Sequence, residues 1–175
     1  MNTDRVEHEK KLFKRLIISD GDLDHAGWFA DIILNRHLHS CTDEESKYLH
    51  RGLNLALVVT YCRPFSGNKC SNDTTGDLPG RYLRDFSKEE RALHSHLLKM
   101  RNCDHAHSTA AGHAVEVTVD ARGAGPVAWA ISRNAYVPLP REDTERLRGM
   151  ITKLIQHVMD EHIRIQRLLA PGEQF

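Results

Sequence analysis

The chain has 175 residues, the length of one compact domain. Its 40% apolar and 27% charged residues are those of a folded protein, which excludes wholesale disorder and membrane embedding. The 24 Lys and Arg are balanced by 24 Asp and Glu, so no global positive field exists to hold long nucleic acid, and any such contact must be local. Twelve histidines are the one compositional excess, and they make the net charge sensitive to pH between about 6 and 7.

The first residues, Met1-Asn2-Thr3-Asp4-Arg5-Val6-Glu7-His8-Glu9, carry no apolar run of the kind a secretory signal needs, so a cytoplasmic protein is expected. The longest aliphatic stretch, residues 55–59, is far too short to cross a bilayer, and no membrane contact is expected. Cys41, Cys62, Cys70 and Cys103 form no C-x-x-C pair and read as reduced thiols; pairing of Cys62 with Cys70 across a loop is not demanded.

In chain order, residues 6–18 place Leu12, Leu16 and Phe13 on one side of a first helix, and Asp20-Gly21-Asp22 offers a break. Asp24 then stands as the cap of a second helix through His39, with Trp28, Phe29, Ile32 and Ile33 making a broad core-facing surface. Thr42 and Glu45 have capping-box spacing ahead of a third helix, whose apolar positions are Leu49, Leu53, Ala56, Leu57, Thr60 and Tyr61. Arg63-Pro64 ends it, because a residue before proline is pushed out of the helical region, and residues 66–80 form the longest loop. Ser87 and Glu90 make a second capping box, followed by Leu93, Leu97 and Met100 on one face of a helix running to about Cys103 or beyond. Between 114 and 131 the period changes to two, with a turn at 122–125, which predicts a β-hairpin. Steps of three and four through Leu147, Ile151, Leu154, Val158, His162, Ile165 and Leu169 predict a closing helix on the order of 40 Å long, stopped by Pro171-Gly172. The expected fold is mainly α: an up-and-down bundle of four to five helices, with a small β-hairpin inserted at about 114–132, in a single domain over 1–175.

The chemistry-bearing residues concentrate at the end of the helix that begins after Ser87. Continuing its apolar face beyond Met100 reaches Asp104 and His107, polar groups where apolar ones belong. In a continuous helix Arg101 lies one turn from Asp104 and His105, while His107 points about a third of a turn away. A structural reading stands beside a functional one: Arg101 pairs with Asp104, and His107 satisfies the last helical carbonyls.

Arg101-Asn102, four further residues and then His107, with Ala106-His107-Ser108 closing a helix of an all-helical domain, resembles the R-x(4-6)-H motif of HEPN domains, the "higher eukaryotes and prokaryotes nucleotide-binding" class. The resemblance covers chiefly residues 93–108, with Tyr61-Cys62-Arg63-Pro64-Phe65 and the helix order adding to it. It implies a metal-independent endoribonuclease of toxin or phage-defence systems, with two motifs facing each other across a homodimer and no cofactor. His107 would act on or position the attacking ribose 2′-hydroxyl. Arg101 would hold the phosphate and stabilise its developing charge, and Asn102 would bond the phosphate or fix the arginine. Arg63, Asp104 and His105 are the candidate substrate contacts. The assignment of His107 over His105 comes from the family spacing alone. RNA, and an antitoxin or other protein partner, are the partners this implies; the alternative is a non-catalytic helical interaction or nucleotide-binding module.

Residues 62–101 hold eight Lys or Arg against five Asp or Glu, a local basic surplus for RNA, and Tyr82 and Phe86 are aromatics that would either stack bases or dock the loop on the core. The histidine excess suggests no metal site: His37 with His39, His94 with His96, and His105 with His107 are two apart, which sends the rings to different helix faces. Walker A, dinucleotide-binding glycine and nucleophile-elbow signatures are missing from the sequence.

Overall fold

A computed structural model describes residues 3–66, 76–102, 113–120, 127–134 and 137–168, the two strands by their backbone. Among these the chain is mainly helical, a helical bundle with four α-helices: α1 (Thr3–Asn35), α2 (Glu44–Cys62), α3 (Lys88–Met100) and α4 (Arg141–Gln166). No described helix is long and apolar enough to cross a membrane.

The expected break at Asp20-Gly21-Asp22 does not occur: α1 is one helix of 33 residues, on the order of 50 Å long. Leu12, Leu16, Ser19, Leu23, Ala26, Ala30 and Ile33 are all buried. Their steps alternate four, three, four, three, so a continuous seam passes from Ser19 to Leu23 and leaves Gly21 on the outside. Burial along that seam outweighs the roughly 1 kcal/mol that a helical glycine costs. Asp24 therefore caps nothing, and Trp28, expected on the core face, is 64% exposed because it lies off the seam.

α1 and α4 run antiparallel, as their side-chain pairs show: Glu9 with Arg164 at 2.6 Å, the Phe13 ring edge-on to His162 at 4.6 Å, and Asp31 with Arg148 at 2.8 Å. Ala26, Gly27 and Ala30 keep the facing surface of α1 low, and Ile151 of α4 lies over Gly27. From α4, Leu147, Met150, Ile151, Leu154, Val158 and Ile165 fill the centre of the core. His162, on the same stripe, is half-buried.

α1 ends at Asn35, and His37 takes a left-handed conformation (φ 51°) that turns the chain into a short 3-10 turn, Leu38–Ser40. The cap of α2 is Asp43, whose carboxylate accepts the Ser46 N–H at 2.8 Å, one residue beyond the Thr42 expected. On α2, Leu57, Thr60 and Tyr61 are buried as expected and are joined by His50 and Asn54, whereas Leu49 is 40% exposed. Pro64 does not unwind the residue before it, since Arg63 stays helical (φ −54°, ψ −43°) and the chain tightens into a 3-10 turn over Arg63–Phe65.

α3 begins as its sequence indicates. The Ser87 hydroxyl accepts the Glu90 N–H, and the Glu90 carboxylate accepts the Ser87 N–H at 2.7 Å. Glu90 also takes Lys153 of α4 at 2.8 Å, so this cap fixes a helix–helix contact. Ser87→Ala should cost about 1 kcal/mol and lower the melting midpoint by about 2–4 °C in a thermal melt.

β1 (His113–Asp120) and β2 (Val127–Asn134) pair antiparallel, His113 opposite Asn134 through Asp120 opposite Val127. The turn expected at 122–125, most of the 66–80 loop, Cys70, Cys103, and Leu169 with Pro171-Gly172 lie outside the described residues.

Candidate functional site

Arg101 stands where α3 ends. Leu93, His94 and Leu97 turn inward from that helix, and at Arg101 and Asn102 the backbone opens into a wider π turn, a local widening common at functional positions. The Arg101 N–H is shared between the Leu97 and Leu98 carbonyls. Its guanidinium donates to the Asn102 side-chain oxygen at 2.9 Å, and it has no carboxylate partner among the described residues. Asp104, His105 and His107 lie outside the described residues, so of the predicted set Arg101 and Asn102 are the two seen together.

The wall beside α3 is the end of α2. Tyr61 Oη lies 2.8 Å from His94 Nδ1, and His94 is ringed edge-on by Phe65 at 4.8 Å and Phe86 at 6.3 Å. Burial holds the His94 imidazole below its usual pKa and pushes the Tyr61 phenol well above its own, so both are neutral near pH 7. The neighbouring Cys62 thiol is pushed up to about 12 by burial, which the charge of Arg101 only partly offsets; it is no nucleophile.

Arg63, a candidate substrate contact, donates to Asp22 of α1 at 3.3 Å on the surface, and its carbonyl accepts from the buried Arg15 at 2.8 Å. Three more of the eight basic residues in 62–101 are likewise engaged: Arg81 meets Glu161 at 3.1 Å, Arg84 meets Asp85 at 3.7 Å, and Arg91 donates to the Phe86 and Arg84 carbonyls. Tyr82 and Phe86 are 3% and 5% exposed, so they dock their segment on the core and offer no stacking platform. Among the described residues no group of three His, Cys, Asp or Glu side chains is placed to hold a metal.

A second constellation escaped the sequence, because its histidines pair across elements and not at i, i+2. His39 and His50 meet edge-to-face at 4.6 Å. Thr144 donates its hydroxyl proton to the Pro140 carbonyl at 3.1 Å, so its oxygen accepts from His39 Nε2–H, also at 3.1 Å. His39 Nδ1 and His50 Nε2 are both buried without a close hydrogen-bond partner among the described residues. Burial lowers both imidazole pKa values, with Arg141 adding to the effect at His39 and His39 adding to it at His50. These rings form the inner wall of a cavity of about 670 Å³ between the start of α2 and residues 138–141. The one sequence signal for it was His50 and Asn54 sitting on a helix at core spacing.

No family model, curated protein or solved structure matches this chain.

Proposed function

We propose that this chain is a HEPN-type, metal-independent endoribonuclease, one domain over residues 1–175, that works as a homodimer with Arg101 and His107 at a shared RNA site. The observation that supports this reading best is the state of Arg101. It ends α3 with its charge uncompensated by any described carboxylate and steadied by a neutral amide, while Arg63, Arg81 and Arg84 are each committed to an acid. A guanidinium can take a phosphate by two hydrogen bonds and stabilise the charge that builds on it. His107 supplies the group that moves the 2′-hydroxyl proton, with Asp104 and His105 as RNA contacts. β1 and β2 form a hairpin inserted in the bundle, and a toxin or defence role in the cytoplasm, restrained by an antitoxin, is the setting this activity implies.

Chelator-treated wild type should cleave structured or single-stranded RNA. His107→Ala and Arg101→Ala, folded by circular dichroism, should each lose about 10²-fold or more, and Asn102→Ala less. No cleavage by the wild type, or equal cleavage by all variants, overturns the reading. A non-catalytic interaction module then takes its place, favoured by the apolar side chains that α1 leaves uncovered, Ile17, Ile18 and Trp28, each about half exposed or more.

A further inference from the structure

We infer that the cavity beside the His39–His50 pair is a binding site for a small phosphomonoester, separate from the Arg101 site. Glu44, Lys47, Tyr48 and Arg51 line one side of it, at i, i+3, i+4 and i+7 of α2, a single stripe turned away from the core. Pro138, Leu139, Pro140 and Arg141 form the other side. This second wall is fixed, because Asn54, buried in α2, accepts the Leu139 N–H at 3.3 Å and Thr144 bonds the Pro140 carbonyl. The volume of about 670 Å³ falls among small-molecule sites.

The charge in the cavity selects an anion. Three cations line it, Lys47, Arg51 and Arg141, against the single carboxylate of Glu44. Arg141 is held by Glu145 at 2.8 Å, and Lys47 touches Glu44 only at 4.0 Å. Arg51 has no ion pair among the described residues and is exposed, so it is the cation open to a ligand. The α4 end that forms this wall begins at Pro140 without a side-chain cap, and its first-turn amides give a positive field that Glu142 and Asp143 of the same turn partly offset. His39 and His50, packed edge-to-face, stay neutral and present an uncharged aromatic wall. With Tyr48, Leu38 and Leu139 this gives an apolar bed beside a cationic rim, which fits a dianionic phosphate on a flat or apolar body better than either part alone.

Phenyl phosphate is the probe, with phenol and inorganic phosphate as its two halves and sulfate-matched ionic strength throughout. Titration calorimetry on the full chain should show saturable binding of phenyl phosphate, tighter than either half. Arg51→Ala should weaken it about tenfold or more, the loss of one charge-assisted contact. Tyr48→Ala should weaken phenyl phosphate while leaving inorganic phosphate unchanged, and Arg84→Ala should change nothing. Failure of phenyl phosphate to saturate, or unchanged affinity in the Arg51 variant, overturns the site. Arg101→Ala should bind the probe as the wild type does; loss there would place the phosphate at the end of α3 and overturn the inference as well. Both Arg51 and Tyr48 are surface residues, so their variants keep the fold.

Discussion

Gly21→Pro should destabilise the protein by about 3 kcal/mol or more, whereas Gly21→Ala should stabilise it by about 0.5–1 kcal/mol. Gly21 sits in the middle of α1, and a Cβ built on it meets nothing within 4 Å. Alanine therefore lowers the entropy of the unfolded chain and improves helix propensity without a clash. Proline removes an internal hydrogen bond and drives its ring against the preceding turn, midway along the seam that α1 lays on α2 and α4. The two substitutions together distinguish one helix from two. If Asp20-Gly21-Asp22 were the turn that its composition suggests, proline would be tolerated and alanine would gain nothing. Chemical denaturation of the three proteins reads both effects, and a proline variant as stable as the wild type would refute the continuous helix.

That turn shows where the sequence was legible and where it was not. The Ser87 box and the α4 stripe were readable because a cap followed by large aliphatics at steps of three and four has few other interpretations. The α1 seam was hidden because three of its seven positions are Ser19, Ala26 and Ala30, which add little hydrophobicity, while Ile17, Ile18 and Trp28 advertise a face that is exposed. On α2 the same thing happens with polar side chains. His50 and Asn54 occupy the buried stripe because each has work there, one as part of an aromatic pair and the other holding Leu139, and no periodicity of apolar residues reports such partners.

The candidate sites divide along the same line. Arg101, Asn102 and His107 were legible as a local spacing, which needs only a chain that is helical up to Met100. The His39–His50 cavity joins residues from three separated stretches, 38–41, 44–51 and 138–141, and only the packing of α1 against both α2 and α4 brings them together. Cations drawn from one stripe of α2 look, along the sequence, like any solvated helix face. What sets them apart is that Arg51 has no acid partner among the described residues, while Lys47 on its own stripe and Arg141 on the opposite wall are paired.

Acid should unfold this protein in two stages, the first driven by histidine. His39, His50 and His94 all have pKa values lowered from 6.5 in the folded state, each chiefly by burial. The unfolded chain therefore binds more protons than the folded one once pH falls through about 6.5. The stability these neutral imidazoles contribute is complete above 6.5 and is lost progressively toward their lower folded values. The limiting slope is about 1.4 kcal/mol per pH unit for each histidine in that window. A second stage lies lower: Glu161, held down by its hydrogen bond to Arg164 against the opposing effect of burial, keeps its contribution above its ordinary value of 4.5 and loses it as pH falls further. Of the three, His94 is the clearest case, since it is 7% exposed, is ringed by Tyr61, Phe65 and Phe86, and has its pKa lowered by burial. His94→Gln retains an acceptor for the Tyr61 hydroxyl and cannot titrate, so it should flatten the loss between pH 6.5 and 5 without steepening the stage below 4.5. His50→Gln should do the same independently, and the double variant should be flatter than either. Denaturation midpoints measured from pH 7.5 to 4 would show this directly. A wild type whose stability is level from 7.5 to 5, or a His94→Gln protein that keeps the full wild-type slope, would mean that the buried imidazoles are not what acid attacks first.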